Sequence, residues 1–413
     1  DKLTLLDPRI LAEKYDVVSS DESKHSSYFS AMSSAGYHVV KGSTWAEQIA
    51  VQMSQATGVY GWTAEEFQKW RTEQKVLLSS KQKAQSLAYR GAVDNGVFEN
   101  LLNLYHVNQT LPNINADVYD RVMMSMKRNA GISVERPIEV FSKHLAVARF
   151  GDTDLAPTLS ILEPLSLEAL EALRQKQVAL PVQYFIVSRL PEDEVTRLVS
   201  RYLASIPRDT AAYSESDYET TPVLQREGQL TVDVSLNTEP KAEYRLYAYD
   251  SVEWTPEAAL QLTYLGERLE TKLKQRLRSE VQGVYSVRVG LELNKDTDRA
   301  ELKIQYSSSA ARLDDLARMT EMVLLELSSM VTEEWTNDVY EAFIDVEKSR
   351  LNNAFDATLV HRIELSEVYL GDTRYLHNME KLTSALTLNK LKLMAERLTF
   401  KDRVTGLYRP IVE

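Results

Sequence analysis

The sequence predicts an α+β protein made of two tandem homologous domains, each a mostly antiparallel sheet with helices packed on one face. Three observations carry that reading. Short strand-like runs and longer helical runs alternate in the same broad order in both halves of the chain. The tripeptide Asp117-Val118-Tyr119 opens a charged amphipathic helix, and Asp338-Val339-Tyr340 does the same about 220 residues later, each after a strand and a helix. Between the halves, residues 208–228 lose every hydrophobic period and are polar, acidic and rich in Ser, Thr and Asp. The domains are therefore expected at 1–207 and 229–413, joined by a linker at 208–228. A chain of 413 residues is also longer than one ordinary core organises.

In the first half, 15–18 and 28–32 read as short strands and 44–56 as a helix, with Ser43 or Thr44 as its N-cap. Thr63-Ala64-Glu65-Glu66 opens a second helix with the spacing of a capping box. Strand character returns at 75–79 and 85–93. Helices follow at 95–109, 115–129, 134–149 and 166–177. Tyr184-Phe185-Ile186-Val187 is a continuous apolar run, the signature of a strand buried on both faces, and Pro191 starts a helix that ends near Ile206-Pro207. The second half has strands at 229–235 and 242–249, a long helix at 256–279, and strands at 284–293 and 299–307. Helices at 310–329, 332–354, 358–369, 374–381 and 387–397 and a closing strand at 401–408 complete it.

A net charge of −12 argues against nucleic acid as a partner and suits a basic or extended peptide, although acidic surfaces also simply confer solubility. Cysteine is absent, which excludes disulfides, thiolate ligands and a thiol nucleophile. No stretch approaches the roughly 20 apolar residues of a membrane span. The opening residues Asp1-Lys2-Leu3-Thr4 show no signal-peptide pattern.

Of the six histidines, His25, His38, His106, His144, His361 and His377, no two stand four apart on a helix. His361-Arg362-Ile363-Glu364-Leu365 begins like a zinc-binding helix, but leucine occupies the second ligand position. Neither a Gly-x-Ser-x-Gly elbow nor a glycine-rich phosphate loop is present. The segment of most interest is Arg276-Leu277-Arg278-Ser279-Glu280-Val281-Gln282-Gly283-Val284-Tyr285. It puts Arg278 at the end of a helix and Tyr285 at the start of a strand, with Gly283 as the helix stop. A guanidinium and a phenol so placed can grip a peptide carbonyl. The basic residues Lys272, Lys274, Arg276 and Arg278 also complement the negative end of the helix dipole, a role that needs no ligand.

Arg278 through Val287 is similar to an Arg-Glu-Glu-x-Gly-x-x-Tyr-Ser-Val signature of the insulinase/pitrilysin-type (inverzincin) zinc metallopeptidases, with the glycine displaced by one position. Tyr184 to Val195, Arg201-Tyr202-Leu203-Ala204-Ser205-Ile206-Pro207 and Gly58-Val59-Tyr60-Gly61-Trp62 resemble further segments of the same family, in the same order. The chain thus resembles the C-terminal half of such an enzyme, nearest to a bacterial periplasmic zinc protease, with a LuxS/insulinase-type fold in each domain.

The resemblance implies a non-catalytic half that forms one wall of a peptide-enclosing chamber. It implies that Arg278 orients the peptide and Tyr285 donates to the developing oxyanion at a zinc site on the N-terminal half, in the same or a separate chain. The helix equivalent to the family's His-x-x-Glu-His helix reads Glu47-Gln48-Ile49-Ala50-Val51-Gln52, with Gln48, Val51 and Gln52 at the ligand and base positions. Amides cannot replace imidazoles on zinc and valine cannot accept a proton. Hence no metal or other cofactor is expected in this chain, which would be inactive alone although part of a zinc metalloendopeptidase. The expected partners are the zinc-bearing half and a peptide or unfolded protein. The expected place is the periplasm or cell envelope, otherwise the cytoplasm. The alternative is a degenerate, purely structural or peptide-binding member of the same fold.

Overall fold

Alternating buried and exposed residues along the strands build two five-stranded sheets in the computed structural model, which describes residues 1–6, 26–37, 44–84, 86–111, 114–131, 136–151, 156–208, 224–280, 284–351, 364 and 383–411. The first sheet contains β1 (Lys2–Leu6), β2 (Ser26–Ser33), β3 (Ser79–Gln82), β4 (Leu87–Asp94) and β5 (Val182–Val187), in the order β1-β5-β2-β4-β3. The second contains β6 (Gln229–Asn237), β7 (Lys241–Ser251), β8 (Val284–Asn294), β9 (Arg299–Ser309) and β10 (Asp402–Pro410), in the order β6-β10-β7-β9-β8. One parallel pair, β1–β5 or β6–β10, lies at the end of each otherwise antiparallel sheet. The internal repeat read from the sequence therefore extends to strand order and strand direction. β5 is buried along nearly its whole length because it lies between β1 and β2.

The helices are α1 (Thr44–Thr57), α2 (Ala64–Gln74), α3 (Phe98–Thr110), α4 (Ala116–Ala130), α5 (Pro137–Phe150), α6 (Leu167–Ala179), α7 (Glu192–Tyr202), α8 (Pro256–Lys274), α9 (Leu313–Leu325), α10 (Glu333–Leu351) and α11 (Leu388–Arg397). Capping residues set several of their starts. Thr63 accepts from the Glu66 amide at 3.2 Å while Glu66 accepts from the Thr63 amide at 2.8 Å, the capping box expected from the sequence. Ser166 and Thr255 each accept from the amide three residues on, at 3.1 Å, to start α6 and α8.

Two compact units result. The first comprises Asp1–Ser133, Ala156–Pro222 and Lys348–His377, and the second Val134–Leu155, Val223–Glu347 and Asn378–Glu413. Each contains one segment from the other half of the sequence. In the second unit α5 buries Phe141 and Leu145 against Val404 and Tyr408. A Cβ on Gly406 would come within 2.7 Å of Leu145 and 2.8 Å of Phe141, so glycine is what lets α5 lie on β10. This face of the second sheet is opposite the one that α8 covers through Leu291, because Val404 pairs with Tyr247 whereas Leu291 pairs with Leu302, itself opposite Ala248. In the first unit the buried Glu364 carboxylate accepts from the Tyr28 hydroxyl at 3.3 Å and lies 3.7 Å from the Arg90 guanidinium. Burial, with the Glu364 charge, pushes the Tyr28 phenol up to about 12.

Some elements depart from the sequence reading. Residues 75–78 are not a strand: Lys75 ends α2 in the left-handed conformation (φ 53°), and pairing starts only at Ser79. β1 is an addition, recruited by parallel pairing with β5 across the whole first half. The long helix expected at 256–279 is α-helical to Lys274 and continues as a π-helical turn, Gln275–Glu280. The strand at 15–18, the helix at 374–381, all of the helix at 358–369 except Glu364, and most of the 208–228 linker lie outside the described residues.

Candidate functional site

Gln48, Val51, Gln52 and Gln55 follow the i, i+3, i+4, i+7 spacing, so they share one face of α1. The face behind them is anchored in the core by Ile49, Ala50 and Met53, all at most 1% exposed. The amide face borders a cavity of about 500 Å³ within the first unit. Gln82 at the end of β3 and Asn129 on α4 add two further carboxamides to its lining, and Tyr37 and Trp45 supply aromatic surface. Gln82 is held by a 3.0 Å hydrogen bond from its amide to the Ala35 carbonyl. Val51 is buried and belongs to the hydrophobic core of the unit as well as to the cavity wall. The structure thus brings Gln48, Val51 and Gln52 together around one space.

A buried polar relay fixes α1 from behind. The Gln177 amide of α6 donates to the Glu47 carboxylate, and its oxygen accepts from Arg174 at 2.9 Å. Arg174 also reaches the Tyr89 hydroxyl at 3.2 Å. Glu47, Arg174 and Gln177 are each at most 5% exposed. Burial pushes the Glu47 carboxyl pKa up, opposed by the Gln177 hydrogen bond and the charge of Arg174.

Arg278 and Tyr285 lie in the second unit, on two backbone irregularities. Arg278 is exposed on the π-helical turn, whose buried Leu277 and whose Arg276–Glu326 ion pair (3.5 Å) hold it in place. Such wide turns concentrate at functional sites because they re-aim the residues that follow. Tyr285 lies in β8 where the register slips: Val284 pairs with Ser308 and Val287 with Tyr306, so β8 carries one extra residue there. A bulge of this kind redirects side chains at a sheet edge, and β8 is an edge strand. Residues 281–283, between the two irregularities, lie outside the described residues.

The cavity lining does not fit zinc. Its described donors are carboxamides and a phenol, with no imidazole, carboxylate or thiolate among them. Among the described residues no group of three or more His, Asp or Glu could hold a metal. His106 is half-buried and bonds the Tyr202 carbonyl at 2.8 Å, a structural role, and His144 is exposed. His25, His38, His361 and His377 lie outside the described residues. Glu364 of the zinc-like segment is committed to Tyr28 and Arg90.

Sequence reasoning missed Tyr37, Gln55, Gln82 and Asn129. Gln55 could have been found from helical spacing. The other three come from distant elements that only the fold brings to α1.

Residues 179–342 match the family model for the peptidase M16 inactive domain. The probable zinc protease PqqL of Haemophilus influenzae is 28% identical over 141 residues, 34% of this chain and 15% of that protein. Its Escherichia coli counterpart is 22% identical over 290 residues, 68% of this chain and 30% of that protein. The crystal structure of the Escherichia coli periplasmic protease PqqL superimposes with a TM-score of 0.79 at 18% identity, over 95% of this chain and 44% of that one. The ferredoxin protease FusC, crystallised with Arabidopsis ferredoxin, gives a TM-score of 0.84 at 28% identity, over 95% of this chain and 43% of that one. The chain therefore spans less than half the length of these relatives. No helix among the described residues is long and apolar enough to cross a membrane.

Proposed function

From the premise that the chain carries an M16 inactive domain and is homologous to the PqqL zinc proteases, we propose that it serves as the non-catalytic half of a zinc metallopeptidase. In this reading it forms one wall of a peptide-enclosing chamber, and the zinc belongs to an N-terminal half, in the same chain or another. Arg278 orients the substrate backbone through its planar guanidinium, and the Tyr285 hydroxyl donates to the oxygen that becomes negative as the scissile carbonyl is attacked. Neither group is a base at neutral pH, so the pair binds and orients and leaves proton abstraction to the other half. The observation that carries the reading is the placement of both residues on backbone irregularities, a π-helical turn and a β-bulge, in a chain whose relatives are proteases. Peptide or unfolded protein is the proposed substrate class, and the periplasm, named for the PqqL relative, is the proposed compartment.

The test is peptide hydrolysis by the chain combined with its zinc-bearing half. Tyr285→Phe removes one hydroxyl and almost no volume. It is expected to lower turnover by roughly 10²–10³, about 3–4 kcal/mol of barrier, with the thermal midpoint unchanged. Arg278→Ala is expected to raise KM. Full turnover in a folded Tyr285→Phe protein would leave the degenerate structural or peptide-binding role as the reading.

A further inference from the structure

α8 packs on one face of the second sheet and also reaches the free side of β8. β8 lies at the end of that sheet and pairs, among the described residues, only with β9. The N–H and C=O groups on its other side therefore need partners that are not strands. One of them, the Val289 N–H, donates to the Glu270 Oε2 at 3.3 Å. Two residues along, the Leu291 backbone N and O stand 3.6 and 3.7 Å from the point that a Cβ on Gly266 would occupy. Gly266 and Glu270 are one turn apart on α8 and share a face. The glycine lets the helix approach the strand, and the carboxylate takes up a backbone donor. The other oxygen of Glu270, Oε1, accepts from Lys274 one turn further on, which fixes the direction of the carboxylate.

These contacts set a register between helix and strand. Four helical residues and two strand residues advance by nearly the same length, about 6 Å and about 6.6 Å. Gly266 is level with Leu291, and Glu270 with Val289. One further step puts Lys274 level with Val287, and the next puts Arg278 level with Tyr285. That last step falls where the helix widens into the π turn and the strand bulges. Both irregularities interrupt the regular hydrogen bonding that would otherwise hold their element straight. The Glu270–Val289 hydrogen bond lies about one turn before them, so it governs how the two irregular ends approach each other.

We propose that Glu270 is a positioning residue of the clamp: by accepting from the Val289 amide it fixes β8 against α8 and so sets the spacing of Arg278 and Tyr285. It touches neither the substrate nor the reacting atoms and acts through the backbone of β8. The role belongs to the acceptor oxygen more than to the charge, because the Lys274 side chain is 50% exposed and an ion pair so exposed stabilises little. This role rests on the clamp reading given above, and the two fail separately.

The test is a double-mutant cycle, read as peptide hydrolysis by the chain combined with its zinc-bearing half. Alanine is a good helix former, so Glu270→Ala is expected to stay folded, with the thermal midpoint as the check. Loss of the acceptor should lower kcat by roughly tenfold to a hundredfold, the cost of a misplacement of about 1 Å. It should also speed hydrogen exchange at the Val289 amide. Glu270→Gln keeps an acceptor oxygen and is expected to recover turnover to within about threefold of the unsubstituted protein. In a Tyr285→Phe background Glu270→Ala should cost about twofold or less, because the hydroxyl that it positions is already gone. If Tyr285→Phe lowers turnover but Glu270→Ala does not, or if the two losses simply multiply, the positioning role is wrong and the clamp stands. Equal loss in Glu270→Gln and Glu270→Ala would replace the acceptor by the charge and overturn the role as stated. Failure of Glu270→Ala to fold would assign the carboxylate to stability alone. Full turnover in Tyr285→Phe would remove the clamp reading, and the positioning role with it.

Discussion

The edge strands β3 and β8 occupy equivalent places in the two sheets, yet they are built in opposite ways. β3 is four polar residues, Ser79–Gln82, and ends beside a cavity faced by the amides of α1. β8 is eleven residues long, follows the π-helical turn of α8 and is bulged around Tyr285. The helices differ too. α1 turns Gln48, Gln52 and Gln55 to open space, whereas α8 buries Leu262, Leu265, Leu269 and Leu273 along its length. The shared topology fixes where an edge and its helix lie. The chemistry available there comes from side chains and local irregularities, which the two units no longer share.

The comparison is broken most severely at two buried glutamines. Gln177 links two buried charged groups, Glu47 and Arg174, in the first unit. Gln261 in the second unit donates to one neutral carbonyl, that of Ala385, at 2.9 Å. Gln177→Leu leaves a buried carboxylate and a guanidinium each short of a hydrogen bond, and is expected to cost about 3 kcal/mol or more. Gln261→Leu strands a single carbonyl and should cost about 1–2 kcal/mol. Urea unfolding of the two variants checks the order. Equal costs would mean that the polar relay behind α1 is no more demanding than an ordinary buried amide.

The sequence made most of this frame readable because the helices are long and the strands alternate. What escaped it did so for physical reasons. β3 reads Ser-Ser-Lys-Gln, with no β-branched or aromatic residue, because an edge strand need not bury either face. The apolar run Val76-Leu77-Leu78 drew the predicted strand toward itself, although Val76 is core and Leu77 is 55% exposed in an unpaired segment. β1 is stabilised by pairing with β5, whose residues lie about 180 positions away, and no local pattern encodes that. At the sites, Gln48, Val51 and Gln52 stood out only through the family resemblance. Their cavity partners Tyr37, Gln82 and Asn129 come from three other segments. A π turn and a bulge leave no periodic trace, so the settings of Arg278 and Tyr285 emerge only in three dimensions.

Two glycines sharpen the comparison at an intermediate scale. A Cβ on Gly91 of β4 would stand 2.7 Å from Leu101 and 2.8 Å from the Leu77 carbonyl oxygen, a backbone atom that cannot swing aside. A Cβ on Gly266 of α8 would meet the Leu291 Cβ at 3.0 Å, and alanine there also gains about 1 kcal/mol of helix propensity. Gly91→Ala is therefore expected to destabilise by about 1–3 kcal/mol. Gly266→Ala should come out near zero, because crowding and propensity oppose each other. Thermal midpoints of the two single variants read the difference.

The smallest expected effect lies on the surface of the second unit. Arg409 of β10 donates to Asp233 of β6 at 2.7 Å and to Asp314, in the first turn of α9, at 2.6 Å. It thereby ties the parallel strand pair to a helix start whose dipole also favours the carboxylate. The Arg409 hydrogen bond holds the Asp314 carboxyl below its usual range. A depressed folded-state pKa means that the stabilisation is present above the unfolded value, about 3.9, and is lost as pH falls through the folded one. The Asp314 side chain is 64% exposed and that of Asp233 44%, so solvent screens the pair. Arg409→Ala is expected to cost less than about 1 kcal/mol at neutral pH. The cost should shrink in 1 M salt, where the screening length falls to about 3 Å, and shrink again in acid below pH about 3.9 as Asp314 protonates. A cost that stays constant across pH and salt would assign Arg409 to packing of its stem on β10 instead of to charge.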